Sequence, residues 1–311
     1  MVSFVRRQNQ KLELARLLMS CYNLYYKRCE VEKDMANNYD FAKLVETKLW
    51  KCYESLSIDD DRRKWIKDVY FNAVKQLTTV RDTFSNYTLH DETHVINVME
   101  AIAGLLGNQI RNLTAGEAEL LILAACLHDI GMVYTLEDKM KWLKREAKCN
   151  EFIKRNDPDL IGLRPEDWND GKKQNYFRWL HPFRLPEVLN QAQWSRIFNL
   201  RPKDIVSKQT IIAVCQAHGE EFSEIDFAIS KARDVDVLFC AMMLRIGDLL
   251  DFDDSRVPQI LYSFAEKSMK SQEEWNKHSA SIGFNYPESP STDPLPYAAE
   301  CFAPGVEHSV R

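Results

Sequence analysis

Residues 114–131 read TAGEAELLILAACLHDIG. Thr114 followed three positions later by Glu117 forms a capping box, which opens a helix; the helix runs through AELLILAACLHD and stops near Gly131. His128 continues the apolar stripe of Leu121, Ala124 and Ala125, so an imidazole is directed inward at the end of a core helix. The adjacent Asp129 points about 100° away on an ideal helix, yet at a helix end both side chains can reach one centre.

Outward from this helix, the same periodicity recurs. Only 10 glycines and 11 prolines interrupt 311 residues, and most long segments carry apolar residues at i, i+3, i+4 and i+7. The fold class is therefore all-α. Helices are expected over Leu12–Cys29, Tyr39–Leu56, Asp61–Phe84 (Trp65, Val69, Phe71, Val74 and Leu77 inward), Asp91–Leu106, Gln174–Asn190, Ser207–His218 and Val235–Asp251. Asp91 suits a cap, and Gly107 suits the left-handed position at a helix end. Residues 156–173 are rich in turn formers and read as a long loop, a candidate lid. Residues 279–311 hold five of the prolines and lack periodicity, so a poorly ordered tail is expected. The organisation is thus an N-terminal helical extension (1–60), a main helical domain (61–278) and the tail (279–311).

Composition narrows the function classes. The net charge of −5 and pI near 5.9 argue against coating nucleic acid by bulk charge, so any anion site is focal. Eight cysteines without a CxxC pair read as reduced core residues. No window approaches the roughly 18 apolar residues of a membrane span. A cytoplasmic protein without a membrane partner is the expectation.

Inward-facing ligand-type residues recur on other helices. His218 continues the stripe Ile211, Val214, Cys215; Asp248 continues Ala241 and Leu244; His94 begins a stripe with Val98, Ile102 and Leu105. A buried imidazole or carboxylate needs partners. Any one of these histidines could bond a carbonyl, but four helices sending such groups inward suits a shared divalent ion, Mn, Fe, Zn or Mg.

This series resembles the HD superfamily of metal-dependent phosphohydrolases, with its H…HD…D pattern on a helical bundle. LHDETHVINVM (89–99) is similar to the family's first-His helix, AACLHDIGM (124–132) to its HD helix, and LRIGDLLDFDDSR (244–256) to the helix with its last Asp. FRWLHPFRLPEVL (177–189) and VCQAHGEEF (214–222) resemble the extra ligand segments of binuclear members, and the combination is most similar to the HD-CE group, HD domains often found ahead of a histidine-kinase-like ATPase domain. His218-Gly219 replaces the paired histidines of the cyclic-di-GMP phosphodiesterases, and no GYP motif follows, which disfavours that substrate.

The resemblance implies an HD-domain helical bundle with one or two divalent ions. His94, His128, Asp129 and Asp248 would hold one ion, and His181 and His218 a second, with Asp129 bridging. It implies hydrolysis of a phosphoester in a phosphate-containing small molecule, a nucleotide or an oligonucleotide, by a metal-activated water. Arg178 and Arg245 are candidate phosphate clamps, each as readily read as a partner for a carboxylate. His90 is a candidate acid for the leaving group, or an exposed loop residue. Asp251, Asp253 and Asp254 could orient ligands from behind, or, more simply, Asp253 and Asp254 form a turn before Val257-Pro258. The alternative is a metal- or nucleotide-binding sensor that regulates a histidine-kinase-like ATPase partner without turnover; retention of all six candidate ligands favours the enzyme.

Overall fold

The computed structural model describes residues 40–56, 59–84, 91–197, 206–220, 231–232, 234–251, 281–286 and 297–299. The chain divides into two compact units, 1–41 and 42–311. The first, with the expected helix Leu12–Cys29, lies outside the described residues apart from Asp40 and Phe41.

The second unit is built from helices. Among the described residues these are α1 (Ala42–Glu46), α2 (Lys48–Ser55), α3 (Asp60–Leu77), α4 (Glu92–Leu106), α5 (Ala115–Leu127), α6 (Leu136–Leu143), α7 (Glu146–Asn156), α8 (Asp170–Leu189), α9 (Ala192–Ile197), α10 (Lys208–Ala217) and α11 (Val237–Leu250). Two short antiparallel pairs accompany them: β1 (Lys231–Ala232) with β2 (Val235–Asp236), and β3 (Ser281–Phe284) with β4 (Tyr297–Ala299). The second pair falls inside the Pro-rich tail, where the sequence pattern suggested no strand. No single described helix is long and apolar enough to cross a membrane.

Capping explains most helix starts. Asp59, Asp91, Thr114, Thr135, Asn169, Ser207 and Asp236 each accept a first-turn N–H at the head of a helix. Thr114 and Glu117 form the expected reciprocal box. Gly107 ends α4 with φ of 50°, a backbone that a side chain would disfavour. The stretch 39–56, expected as one helix, breaks at Thr47, whose extended backbone and side chain cap α2 through Trp50 N–H.

α5 is the axis of the bundle. Every residue from Ala118 to Leu127 is buried, and α2, α3, α4, α10 and α11 all pack on it. Its one acidic core residue, Glu119, receives two guanidinium bonds from Arg62 and the Tyr53 hydroxyl at 3.3 Å. Paired in this way, the buried carboxylate avoids the cost of an isolated charge. Trp50 and Tyr53 are fully buried, so the helices before residue 60 complete this core. On α3, Ile66 and Tyr70 take the innermost positions; Trp65, expected inward, is half-exposed beneath the Arg62 guanidinium at 4.0 Å.

Around the axis, α11 lies along α4, where a Cβ on Gly247 would come within 2.7 Å of Ile102 Cγ1. α8 packs on the 3₁₀ turn Ile130–Met132 and on α10. The 156–173 stretch contains 3₁₀ turns at Pro158–Leu160 and Pro165–Asp167 and is pinned by buried Leu160 and Trp168. Cys126, Cys149, Cys215 and Cys240 are free and buried in helices, as expected.

Candidate metal centre

Each of the four described histidines is aimed by what its Nδ1 bonds. At the end of α5, His128 Nδ1 donates to Ala125 O at 3.1 Å. His218, capping α10, donates to Cys215 O, and His181 within α8 donates to Arg178 O. A carbonyl only accepts, so Nδ1 carries a proton, and in the neutral ring Nε2 keeps its lone pair.

The carbonyl used lies three residues back in all three cases, and the backbone makes it available. At the ends of α5 and α10 the last carbonyls have no intrahelical donor. Inside α8, Pro182 has no N–H for the carbonyl four residues before it, which is that of Arg178. The proline beside His181 thus frees the acceptor that orients the ring. His94, in the first turn of α4, instead bonds through Nδ1 to Asp251, and Asn97 Nδ2 holds the other Asp251 oxygen at 2.8 Å.

The four Nε2 atoms converge on two carboxylates. Asp129 Oδ2 lies 3.1 Å from His94 Nε2 and 3.2 Å from His128 Nε2, while its Oδ1 lies 3.3 Å from His181 Nε2. Asp248 Oδ1 is 3.4 Å from His94 and 3.6 Å from His128. The Nε2 atoms of His94 and His128 are 3.0 Å apart, and those of His181 and His218 are 2.9 Å apart. His94, His128 and Asp129 are buried, and His181 is 9% exposed.

The electrostatics of this cluster are in conflict without a cation. Once every Nδ1 is committed, neutral rings turn only lone pairs and carboxylate oxygens inward, and a donor arises there only where a ring takes a second proton, as the two carboxylates favour at His128. Burial works against charge on His128, but Asp129 and Asp248 outweigh it and push its pKa well up. Burial and the neighbouring His181 and His128 rings hold His218 down, at about 4. Burial would raise Asp248, but His128 and His94 prevail and lower it. A divalent ion satisfies all these acceptors together. Two sets could each hold one: His94, His128 and Asp129, and Asp129, His181 and His218.

The other residues singled out from the sequence lie as follows. Arg178 is exposed and lines a cavity that also touches His181. Arg245, considered as a phosphate clamp or a carboxylate partner, donates to Ala217 O at 3.1 Å and to Glu220 O; both carbonyls flank His218, so it fastens the end of α10. Asp251 stands behind His94. His90, Asp253 and Asp254 lie outside the described residues.

Arg184 also serves the site, although no motif in the sequence marks it. It is 1% exposed and donates to Gly131 O at 2.8 Å, to Val133 O and to Asp138 at 2.7 Å, with Tyr134 beneath its guanidinium. These contacts fix the turn that follows His128-Asp129 onto α8. Its position three residues after His181, on the same helical face, was the available signal.

Comparison with curated proteins and with solved structures yields no match. The family model HD-CE matches residues 84–308, more than half of the chain and the whole stretch from the start of α4 to the end of α11. With the H…HD…D residues of three helices gathered around His94 and His128 at 3.1–3.6 Å, and that match spanning them, this chain belongs to the HD-CE group of the HD superfamily.

Proposed function

We propose that this chain is a metal-dependent phosphohydrolase that cleaves a phosphoester in a nucleotide or nucleic acid. One observation carries the reading: Asp129 offers one oxygen to the His94–His128–Asp248 side and the other to the His181–His218 side. That is the donor arrangement for two neighbouring ions sharing a carboxylate. His94, His128, Asp129 and Asp248 would hold the first, and Asp129, His181 and His218 the second. Divalent ions there would lower the pKa of a coordinated water and neutralise phosphoryl oxygens.

The chain's own side chains supply the remainder. Asp251 and the three backbone carbonyls keep each imidazole aimed. Arg178, at the mouth of the adjoining cavity, suits a bidentate grip on phosphate oxygens. In the overall reaction the water oxygen bonds to phosphorus, the ester P–O bond breaks, and the departing oxygen takes a proton. His90 is the candidate donor of that proton.

The test is metal analysis of the purified protein, then hydrolysis assays with Mn or Mg on a nucleotide panel and a chromogenic phosphodiester. Bound metal and metal-dependent cleavage are expected, with His218→Ala losing about half of the metal and Asp129→Ala nearly all. Unchanged metal content in Asp129→Ala would overturn the ligand assignment. Metal binding with no cleavage of any ester would leave instead a sensor that acts on a histidine-kinase-like ATPase partner.

A further inference from the structure

Two arginines stand three residues from a candidate ligand, and each reaches across to the main chain that carries another. Arg184 follows His181 on α8 and donates to Gly131 O at 2.8 Å and to Val133 O, in the turn after Asp129. Arg245 precedes Asp248 on α11 and donates to Ala217 O at 3.1 Å and to Glu220 O, on either side of His218. Carbonyls at and just beyond a helix end lack an intrahelical donor. A guanidinium, with its N–H groups in a rigid fork, can hold two of them at once.

Further contacts close the same two turns on α8. Tyr134 lies under the Arg184 guanidinium at 4.0 Å, and its hydroxyl donates to Phe177 O at 2.9 Å, one turn before His181. Met132 N–H returns to Asp129 O at 2.8 Å, which makes Asp129 part of the turn that Arg184 holds. A Cβ on Gly219 would come within 2.3 Å of Pro182 Cγ, so the turn after His218 sits directly against the residue that follows His181.

The braced turns carry one half of the cluster. His218 Nε2 lies 2.9 Å from His181 Nε2, and Asp129 Oδ1 lies 3.3 Å from it. The other half stands on α4, α5 and α11, which pack along one another. There Asp251 sets the His94 ring, and Ala125 O, in the same helix, sets the His128 ring. Arg184 is buried, and replacing a buried ion pair by apolar groups of similar volume is often neutral or stabilising. What the guanidinium adds is a fixed place for the turn.

We propose that Arg184 and Arg245 are positioning residues for the second ion: they hold Asp129 and His218 at the separation from His181 that lets the three share a cation. The His94–His128–Asp248 side is assembled without them. The proposal rests on the two-ion part of the hydrolase reading and not on the ester.

The experiment is calorimetric titration of the full chain, stripped of metal by a chelator, with Mn(II), which should resolve two events. Electron paramagnetic resonance of the loaded protein should report a spin-coupled pair. Arg184→Met and Arg245→Met should each weaken the second event at least tenfold, leave the first within threefold, and replace the coupled signal by that of single ions. Arg184→Lys and Arg245→Lys, which keep the charge and a donor, should restore part of the loss, and they carry the test if a methionine variant does not fold. A role confined to fold stability predicts that both events weaken together. That result would overturn the proposal, as would a second event unmoved in the folded variants. Selective loss of the second ion, in a protein whose wild type cleaves no ester, supports the positioning role and removes the hydrolase. Cleavage by a wild type that takes up a single ion does the reverse.

Discussion

A Cβ placed on Gly131 would lie 2.1 Å from the carbonyl oxygen of His181. The turn after the His128-Asp129 pair and the backbone of α8 are in direct contact, and this contact sets the separation between Asp129 and the His181 ring. Gly131→Ala should therefore cost about 2–4 kcal/mol of stability, because backbone rather than a flexible side chain must yield. It should also weaken the retained metal. Chemical denaturation and metal analysis check the two effects; wild-type stability would show that the turn and α8 separate easily.

Pro182 is the second control on His181. Pro182→Ala restores an N–H that competes for Arg178 O, the acceptor that His181 Nδ1 now uses. A helical gain and the lost contact with Gly219 oppose each other, so the melting temperature should change little. Metal affinity, measured by competition with a chelator, should fall about tenfold as the ring loses its anchor.

Asp251 is buried behind His94, with its second oxygen held by Asn97. Asp251→Asn preserves shape and removes the negative charge that makes His94 a better donor to a cation. Metal affinity should drop by about 10–100-fold with an unchanged far-ultraviolet circular dichroism spectrum. An affinity within twofold of wild type would reduce Asp251 to a packing role.

Arg184 and Asp138 give a pH dependence with a definite sign. Burial raises the Asp138 carboxyl, but the Thr135 N–H and hydroxyl and the Arg184 guanidinium outweigh it, and the carboxyl sits below its usual range. A carboxylate with a depressed folded-state pKa contributes stability above its unfolded value, near pH 4, and loses that contribution as pH falls through the lower folded value. Asp138→Asn should cost about 2 kcal/mol at pH 7, in line with a lost bond to a charged partner. The gap to wild type should narrow below about pH 4. Denaturant midpoints across this range test it; a gap constant down to pH 2 would mean that the charge contributes nothing.

Helix positions and caps were legible in the sequence because they depend on neighbours a few residues away. Asp91 as a cap and Thr114 with Glu117 as a capping box are read from residue type and local spacing alone, and the inward face of His94, His128, His218 and Asp248 follows from the apolar stripe each joins. α6 and α7 escape the sequence pattern because each is short and polar and buries only two residues, Trp142 with Leu143 and Cys149 with Phe152, too few to stand out as an apolar stripe. Trp65 falls on the inward stripe by period alone, and period does not separate the centre of an apolar stripe from its margin.

What the sequence determined by itself is the helical class and the set of side chains turned to the interior; both are local properties of spacing and residue type. The tertiary structure alone decided that Asp129 faces both halves of the cluster, that Asp251 stands behind His94 at a separation of 157 residues, and that Arg184 locks the turn after Asp129. Such relations depend on where distant helices meet and on which hydrogen bond each ring and carboxylate makes once buried. A periodic pattern specifies the face of a helix but not the atom that will oppose it.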